Sequence, residues 1–326
     1  MDLTIIIPTC GRPAKLAACC AAIARQTLPP ELIEVLIGID GPDEGETEAV
    51  RRVLPRAKVL PGVHTGPAAT RNRLLREARA PVVLLLNDDV EPSPRCAEIH
   101  LRAHRELGRR AALILGDAPW KVLQPDRLFD RLIRETSMIF FYDQMTGAAA
   151  ADPSHDWGFR HAWTLNLSAP TDLARAEGGF NEALGRACYE DLEWAWRRRQ
   201  IADAPVLFRP EAVVVHDHRY EPQAYLDRER TMGREALRLA QVSPECAREV
   251  FGRDVASPKE IEYARAFVER ERRAAETMER EFLELAALPA DALAPPHDDR
   301  LLKMIYQQHL LLKRWYWRRG LAEAAA

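Results

Sequence analysis

Apolar and polar positions alternate along this chain in blocks. Val82–Leu86 is an unbroken apolar run inside PVVLLLNDDVEP, and it breaks into Asn87, Asp88 and Asp89. A short continuous apolar run is the pattern of a strand buried on both faces. Pro92 and Pro94 stop it. Leu3–Pro8 (LTIIIP), Ile33–Ile39 (IEVLIGI), Ala57–Leu60 and Ala111–Leu115 (AALIL) are also mostly apolar and read as further strands. Helices are predicted between them at Ala14–Arg25, from about Thr47, at Gly66–Ala80 and at Arg95–Leu107. The third of these is entered through Gly-Pro, as helix starts often are. Strands alternating with helices predict a parallel, doubly wound sheet.

The pattern loosens from Asp117 to Asp156. Leu128–Phe141 reads as a helix and TGAAAADPSHDWG as a loop. Ala162–Ser168 (AWTLNLS) then reads as a strand, and Thr171–Glu177 as a short helix closed by Gly178-Gly179. Asp191–Gln200 is a helix. Val206–Phe208 and Ala212–His216 are two short strands, the second delivering His216-Asp217-His218. Beyond Pro222, helices are expected at Gln223–Gln241, Pro258–Leu288 and Asp299–Gly320, with a linker at Pro289–Pro296. The expected organisation is a domain at 1–221 and a helical extension at 222–326, with its linker at about 289–298.

Composition narrows the classes. The chain has 326 residues, enough for one large domain and an appendage. Its net charge of -3 argues against a general nucleic-acid binder. The six cysteines form no C-x-x-C pair and read as thiols in a reducing compartment. No signal peptide is read at the N-terminus, and no apolar run approaches the ~20 residues that span a bilayer. The expectation is a cytoplasmic protein, at most peripheral to the inner face of a membrane.

Asn87-Asp88-Asp89 lies where a central strand leaves the sheet, the edge at which open α/β sheets bind ligands. Adjacent carboxylates there suit a hard divalent cation. Alone, the tripeptide reads better as a strand ending in a solvated turn. Further motifs share its order: IIIPT-x-x-R-P after strand one, Asp40 after strand two, GPAATRN opening a helix, then N-L-S, G-G-F-N-E and Y-E-D-L-E-W. In this order they resemble a family-2 glycosyltransferase of the GT-A fold, over roughly Met1–Arg219. The implied architecture is α/β: a Rossmann-like, mostly parallel central sheet flanked by helices, with a C-terminal α-helical extension.

The resemblance implies roles. Pro8, Thr9 and Arg12 would meet the nucleotide of a nucleotide-diphosphate sugar. Asp40 would hold its base, expected to be uracil. Arg71 and Asn72 lie on the helix that feeds the central strand, and Arg71 would neutralise the diphosphate. Asn87 replaces the first Asp of the family's D-x-D. Asn87 and Asp88 fall to the donor, and Asp89 to a Mn²⁺ or Mg²⁺ ion, with His216 or His218 as a further ligand. A His ligand suits Mn²⁺ better than Mg²⁺. Glu190-Asp191 stands at the family's E-D position, with Asp191 as general base. Trp157, Trp163 and Asn166 would face the acceptor, with core packing as the alternative for each Trp.

The expected activity is transfer of a sugar to a hydroxyl of a saccharide, lipid-linked or protein acceptor, with inversion. A retaining transferase, a nucleotidyltransferase and a non-catalytic nucleotide-sugar-binding module are the rival readings. The last helix mixes aromatic residues with five cations from Lys303 to Arg319. Two readings stand for it: a contact with lipid headgroups, and packing on its own domain or on a second copy of the chain.

Overall fold

The computed structural model describes residues 1–108, 110–293 and 298–326. In chain order the elements are β1 (Leu3–Thr9), α1 (Pro13–Ala24), β2 (Ile33–Ile39), α2 (Glu46–Val53), β3 (Lys58–Leu60), α3 (Pro67–Glu77), β4 (Val82–Leu86), β5 (Val90–Pro92), α4 (Cys96–Leu107) and β6 (Leu113–Asp117). There follow α5 (Leu128–Glu135), α6 (Gly147–Ala151), β7 (Asn166–Pro170), α7 (Thr171–Arg175), α8 (Glu190–Ala202), β8 (Val206–His216), α9 (Pro222–Val242), α10 (Pro244–Phe251), α11 (Pro258–Ala286) and α12 (Asp298–Ala324).

They form two compact units. The first is Met1–Lys121 with Met145–His218; the second is Val122–Gln144 with Arg219–Ala326. The first holds a mixed sheet in the order β3-β2-β1-β4-β7-β6-β8-β5. β1, β2, β3 and β4 run parallel, and β6 is parallel to β8. β4 is buried at every position and β1 at all but Pro8, because both faces of the sheet are covered.

Two strands depart from the expected parallel winding. β7 runs antiparallel to both β4 and β6, and β5 runs antiparallel to β8. An antiparallel neighbour needs no crossover helix, so the strand–helix alternation does not announce it. β7 begins at Asn166, four residues later than expected at Ala162, after a 3₁₀ turn at Phe159–His161. The two late strands are one, β8, whose register shifts opposite Gly116 and Asp117. Pro210 and Glu211 fall at this irregularity, where a residue without an N–H is tolerated. β5, three residues long, gave no sequence signal.

Helix ends also moved. α5 stops at Glu135 rather than Phe141, and the Thr136 hydroxyl donates to the Leu132 carbonyl at 2.6 Å. Gly147–Ala151, expected as loop, is the short helix α6. α10 was not expected; Ser243 breaks it from α9, and Pro244 starts it.

In the second unit, α12 runs past Gly320 to Ala324. Gly320 is a packing position, not a stop. A Cβ there would lie 1.8 Å from the Arg230 carbonyl oxygen of α9, and one on Gly233 would lie 1.9 Å from that of Trp317. The two glycines let the helix backbones touch. Trp315, Tyr316 and Arg318 of α12 are buried within this unit, so the packing reading describes them. Trp315 Nε1 donates to the Val268 carbonyl at 3.1 Å. Among the described residues no helix is long and apolar enough to cross a membrane. Of the expected linker, Ala290–Ala292 forms a 3₁₀ turn, and 294–296 lie outside the described residues.

Candidate active site

The carboxyl ends of β1, β2, β4 and β8 share one edge of the sheet, which gathers Thr9, Asp40, Asn87–Asp89 and His216. Arg12, just beyond β1, ties this edge together. Its guanidinium lies 2.5 Å from Asp88 Oδ1, and it donates to Asp89 Oδ2 at 2.8 Å. Thr9 Oγ1 donates to Asp88 Oδ2 at 2.7 Å. The Arg12 backbone is itself held, its amide donating to the buried carboxylate of Glu46 at 3.1 Å. Pro8 is the penultimate residue of β1, half-buried and paired with Gly38 of β2.

The two adjacent aspartates differ electrostatically. Burial pushes the Asp88 carboxyl up to about 6; Arg12 opposes this and Asp89 adds to it. Burial acts on Asp89 in the same sense. There the two imidazoles beside the carboxylate, His216 and His218, together with the Arg12 guanidinium, prevail and hold Asp89 far below the usual carboxylate range. Asp89 stays ionised at any working pH.

His218 Nδ1 lies 3.1 Å from Asp89 Oδ2, and His216 Nε2 lies 3.6 Å from Asp89 Oδ1. The imidazoles are stacked, and Trp120 stacks on His216 with centroids 4.2 Å apart. Burial lowers the His216 pKa against the pull of the Asp89 charge, which favours the neutral ring that can ligate a metal. One oxygen and two nitrogens, all within 4.8 Å of one another, form a donor set that a divalent cation of the Mn²⁺ type accepts. Both histidines therefore stand beside Asp89, whereas the sequence offered one or the other. Asp217 between them points to two cations that sequence reasoning missed, Lys15 at 2.7 Å and Lys121 at 3.1 Å.

Arg71 and Glu190 form a buried ion pair at 2.9 Å. Arg71 Nη2 also reaches Asn87 Oδ1 at 3.5 Å, and its guanidinium lies over the Phe180 ring. The start of α8 is thereby linked to the end of β4. Asp191, next to Glu190, has its carboxyl pushed up to about 7, by burial first and by the Glu190 charge second. Its Oδ1 accepts from the Leu192 amide at 2.7 Å.

Three expected residues are occupied in holding loops or the sheet. Asn72 donates to the Phe180 carbonyl at 2.8 Å and accepts from the Phe180 amide at 2.7 Å, clamping the Gly-Gly-Phe loop. Asn166 is fully buried; its amide nitrogen donates to the carbonyls of Asp117 and Ala212 at 2.9 and 2.7 Å, and its oxygen faces His100. Such an Asn has nothing left for an acceptor. Asp40 is buried and accepts from the amides of Thr65 at 2.7 Å and Gly66 at 3.0 Å. Gly66 is obligatory there: its φ is +94°, and a Cβ would lie 1.9 Å from the Gly185 carbonyl oxygen. Trp157 and Trp163 flank His161 in one aromatic cluster, with centroids at 5.8 and 5.4 Å. Trp163 is buried.

Comparison with known proteins shows which class this sheet edge resembles. Residues 4–142 match the family model for "Glycosyl transferase family 2". This stretch is thus similar to a family-2 glycosyltransferase domain, and the chain shares the GT-A fold. It is similar to validoxylamine A glucosyltransferase of Streptomyces hygroscopicus subsp. limoneus, at 26% identity over 60% of this chain and 47% of the relative. The chain spans about half the length of the curated relatives it matches. Among solved structures it is similar to the mannosyltransferase PcManGT from Pyrobaculum calidifontis in complex with GDP-Man and Mn²⁺, with a TM-score of 0.57, 16% identity, and coverage of 99% of this chain and 86% of that one. It is also similar to S. aureus TarS 1-349 in complex with UDP, with a TM-score of 0.55, 14% identity, and coverage of 99% and 91%. At these identities the structural likeness concerns the fold.

Proposed function

We propose that this protein transfers a sugar from a nucleotide-diphosphate sugar, preferably of UDP, to a hydroxyl acceptor by one in-line displacement with inversion. The observation that carries this reading is the Arg71 bridge, which links Asn87 of the donor edge to Glu190 at the start of α8. It sets a candidate base on the next residue, Asp191. A carboxylate with a pKa of about 7 is well matched to taking a proton at neutral pH.

In the reaction, the Asp191 carboxylate accepts the acceptor hydroxyl proton as that oxygen bonds to the anomeric carbon. The bond from that carbon to the diphosphate oxygen breaks, and the electron pair leaves with the nucleotide diphosphate. Glu190 holds Arg71 in place, and Arg71 faces the developing negative charge. Asn87 and Asp88 contact the donor, and Arg12 and Thr9 position Asp88. Asp40 accepts from the base through the lone pairs that Thr65 and Gly66 leave. Asp89, His216 and His218 would hold Mn²⁺ or Mg²⁺, which when bound supplies positive charge to the leaving diphosphate. Trp157 offers an aromatic face to an acceptor sugar. Residues 1–221 are the catalytic domain in this reading and 222–326 its helical extension.

The printed names of the relatives support the donor class: one is a glucosyltransferase, and the two structures hold UDP and GDP-Man. The test is a donor screen with UDP- and GDP-sugars followed by Asp191→Asn. Nucleotide release falls by about 10²–10⁴-fold while calorimetric donor binding persists, and the anomeric NMR signal of the product shows inversion. Full turnover by Asp191→Asn rejects the base; retention rejects the single displacement.

A further inference from the structure

A second ligand set lies at the same sheet edge. Cys10 follows β1, Asp40 follows β2, and His64 precedes α3. Cys10 Sγ, one Asp40 carboxylate oxygen and His64 Nδ1 all lie within 4.8 Å of one another. The sulfur is 3.8 Å from His64 Nδ1, and that nitrogen is 3.3 Å from Asp40 Oδ2.

These separations have a chemical meaning. Tetrahedral zinc bonds nitrogen and oxygen at about 2.0–2.1 Å and sulfur at about 2.3 Å, so its ligands stand roughly 3.3 Å apart for N and O and roughly 3.6 Å apart for S and N. The side chains already span two edges of such a tetrahedron. Asp40 is fixed for the purpose: the Thr65 and Gly66 amides hold its carboxylate, as partners outside a metal's ligands commonly do. Cys10 and His64 are exposed, which leaves the fourth position to water.

We propose that Cys10, Asp40 and His64 form a binding site for a thiophilic divalent cation, Zn²⁺ above all, separate from the Asp89–His216–His218 set. The surrounding charge favours it. Burial raises the Cys10 thiol pKa, and the negative charges of Asp40, Glu44 and Glu46 raise it further against Arg12. The field that opposes a bare thiolate attracts a dication. Because Asp40 also receives the base in the functional reading above, on which this consequence rests, zinc and nucleotide compete.

Cobalt separates the two metal sites. The Asp89–His216–His218 set has no sulfur, so a thiolate-to-cobalt charge-transfer band reports a cysteine ligand, and its loss in Cys10→Ser assigns it to Cys10 among the six free thiols. The experiment titrates Co²⁺ into the reduced protein of residues 1–326 and then displaces it with Zn²⁺. The expected result is a saturable near-ultraviolet band in the wild type and in Asp89→Ala. The band is absent in Cys10→Ser and needs at least about tenfold more metal in His64→Ala. Zinc is expected to weaken UDP binding in the wild type and not in Cys10→Ser. A wild-type protein without the band, or a band that survives Cys10→Ser, overturns the site. UDP affinity that zinc leaves unchanged, in a protein that binds both, overturns the competition. A protein that shows the band yet binds no nucleotide supports the site and contradicts the functional reading instead.

Discussion

Val90 stands directly opposite His216 in the antiparallel pairing of β5 with β8. That register sets Asp89 beside both histidines, and the Asp217 amide closes it by donating to the Asp89 carbonyl at 2.7 Å. Asp89 and His216, 127 positions apart in the chain (216 − 89), meet through a strand of three residues. The candidate cation site is therefore built by backbone pairing, and its side chains only complete it.

A first prediction concerns that site. His218→Ala removes a half-exposed ligand without opening the core, and it is expected to weaken Mn²⁺ binding by about 10–100-fold with an unchanged melting temperature. Paramagnetic resonance of free Mn²⁺ reads the affinity. Undiminished affinity removes His218 from the ligand set.

The pH dependence has opposite signs for activity and stability. Asp191 works as a base only when ionised, so the rate is expected to rise with pH through about 7. Folding has raised the pKa of Asp191 and of Asp88, the latter to about 6. Stability from a raised carboxyl is full below its unfolded pKa and is lost as pH rises through its folded one. These two groups should thus lower the melting temperature between about pH 4 and 7 while activity climbs. Asp89, held low, acts oppositely, but only in strong acid. Parallel pH series of kcat/KM and thermal unfolding check both signs.

Arg71 and Glu190 are about 5% exposed, and each is the other's counter-charge. Arg71→Met leaves a buried carboxylate without its partner and is expected to cost about 3–5 kcal/mol. The pair Arg71→Met/Glu190→Leu should cost less than the single change, because no buried charge remains. Chemical denaturation measures both. A double variant worse than the single one would place the strain in packing.

Gly233→Ala and Gly320→Ala drive a methyl into the facing helix backbone, and each is expected to lower stability by about 1–3 kcal/mol. Alanine is otherwise the better helix former, so a stabilised variant would show that α9 and α12 are not in backbone contact. Thermal unfolding distinguishes the two.

What could be read from the chain followed physical signal strength. β4 is an unbroken apolar run and β1 and β2 are nearly so, broken by Thr4 and Glu34, and their ends carry the polar residues that the family resemblance names. The clamp roles of Asn72 and Asn166 were not legible, because an amide that holds a loop and one that holds a sugar look alike in sequence. β5 was hidden by its length, and the antiparallel course of β7 by an alternation that reports elements without direction. Lys15 and Lys121 carried no motif; only folding sets them against Asp217. Gly320 signalled a helix end and was a contact instead, since a missing side chain serves both.

The central claim is that the carboxylates of the sheet edge receive a nucleotide diphosphate through a bound cation. Calorimetric titration of UDP with and without Mn²⁺, on the wild type and on Asp89→Ala, tests it most directly. The account predicts that Mn²⁺ tightens UDP binding to the wild type and has no such effect on Asp89→Ala. Equal Mn²⁺-dependent binding by both proteins, or no nucleotide binding by either, would contradict it.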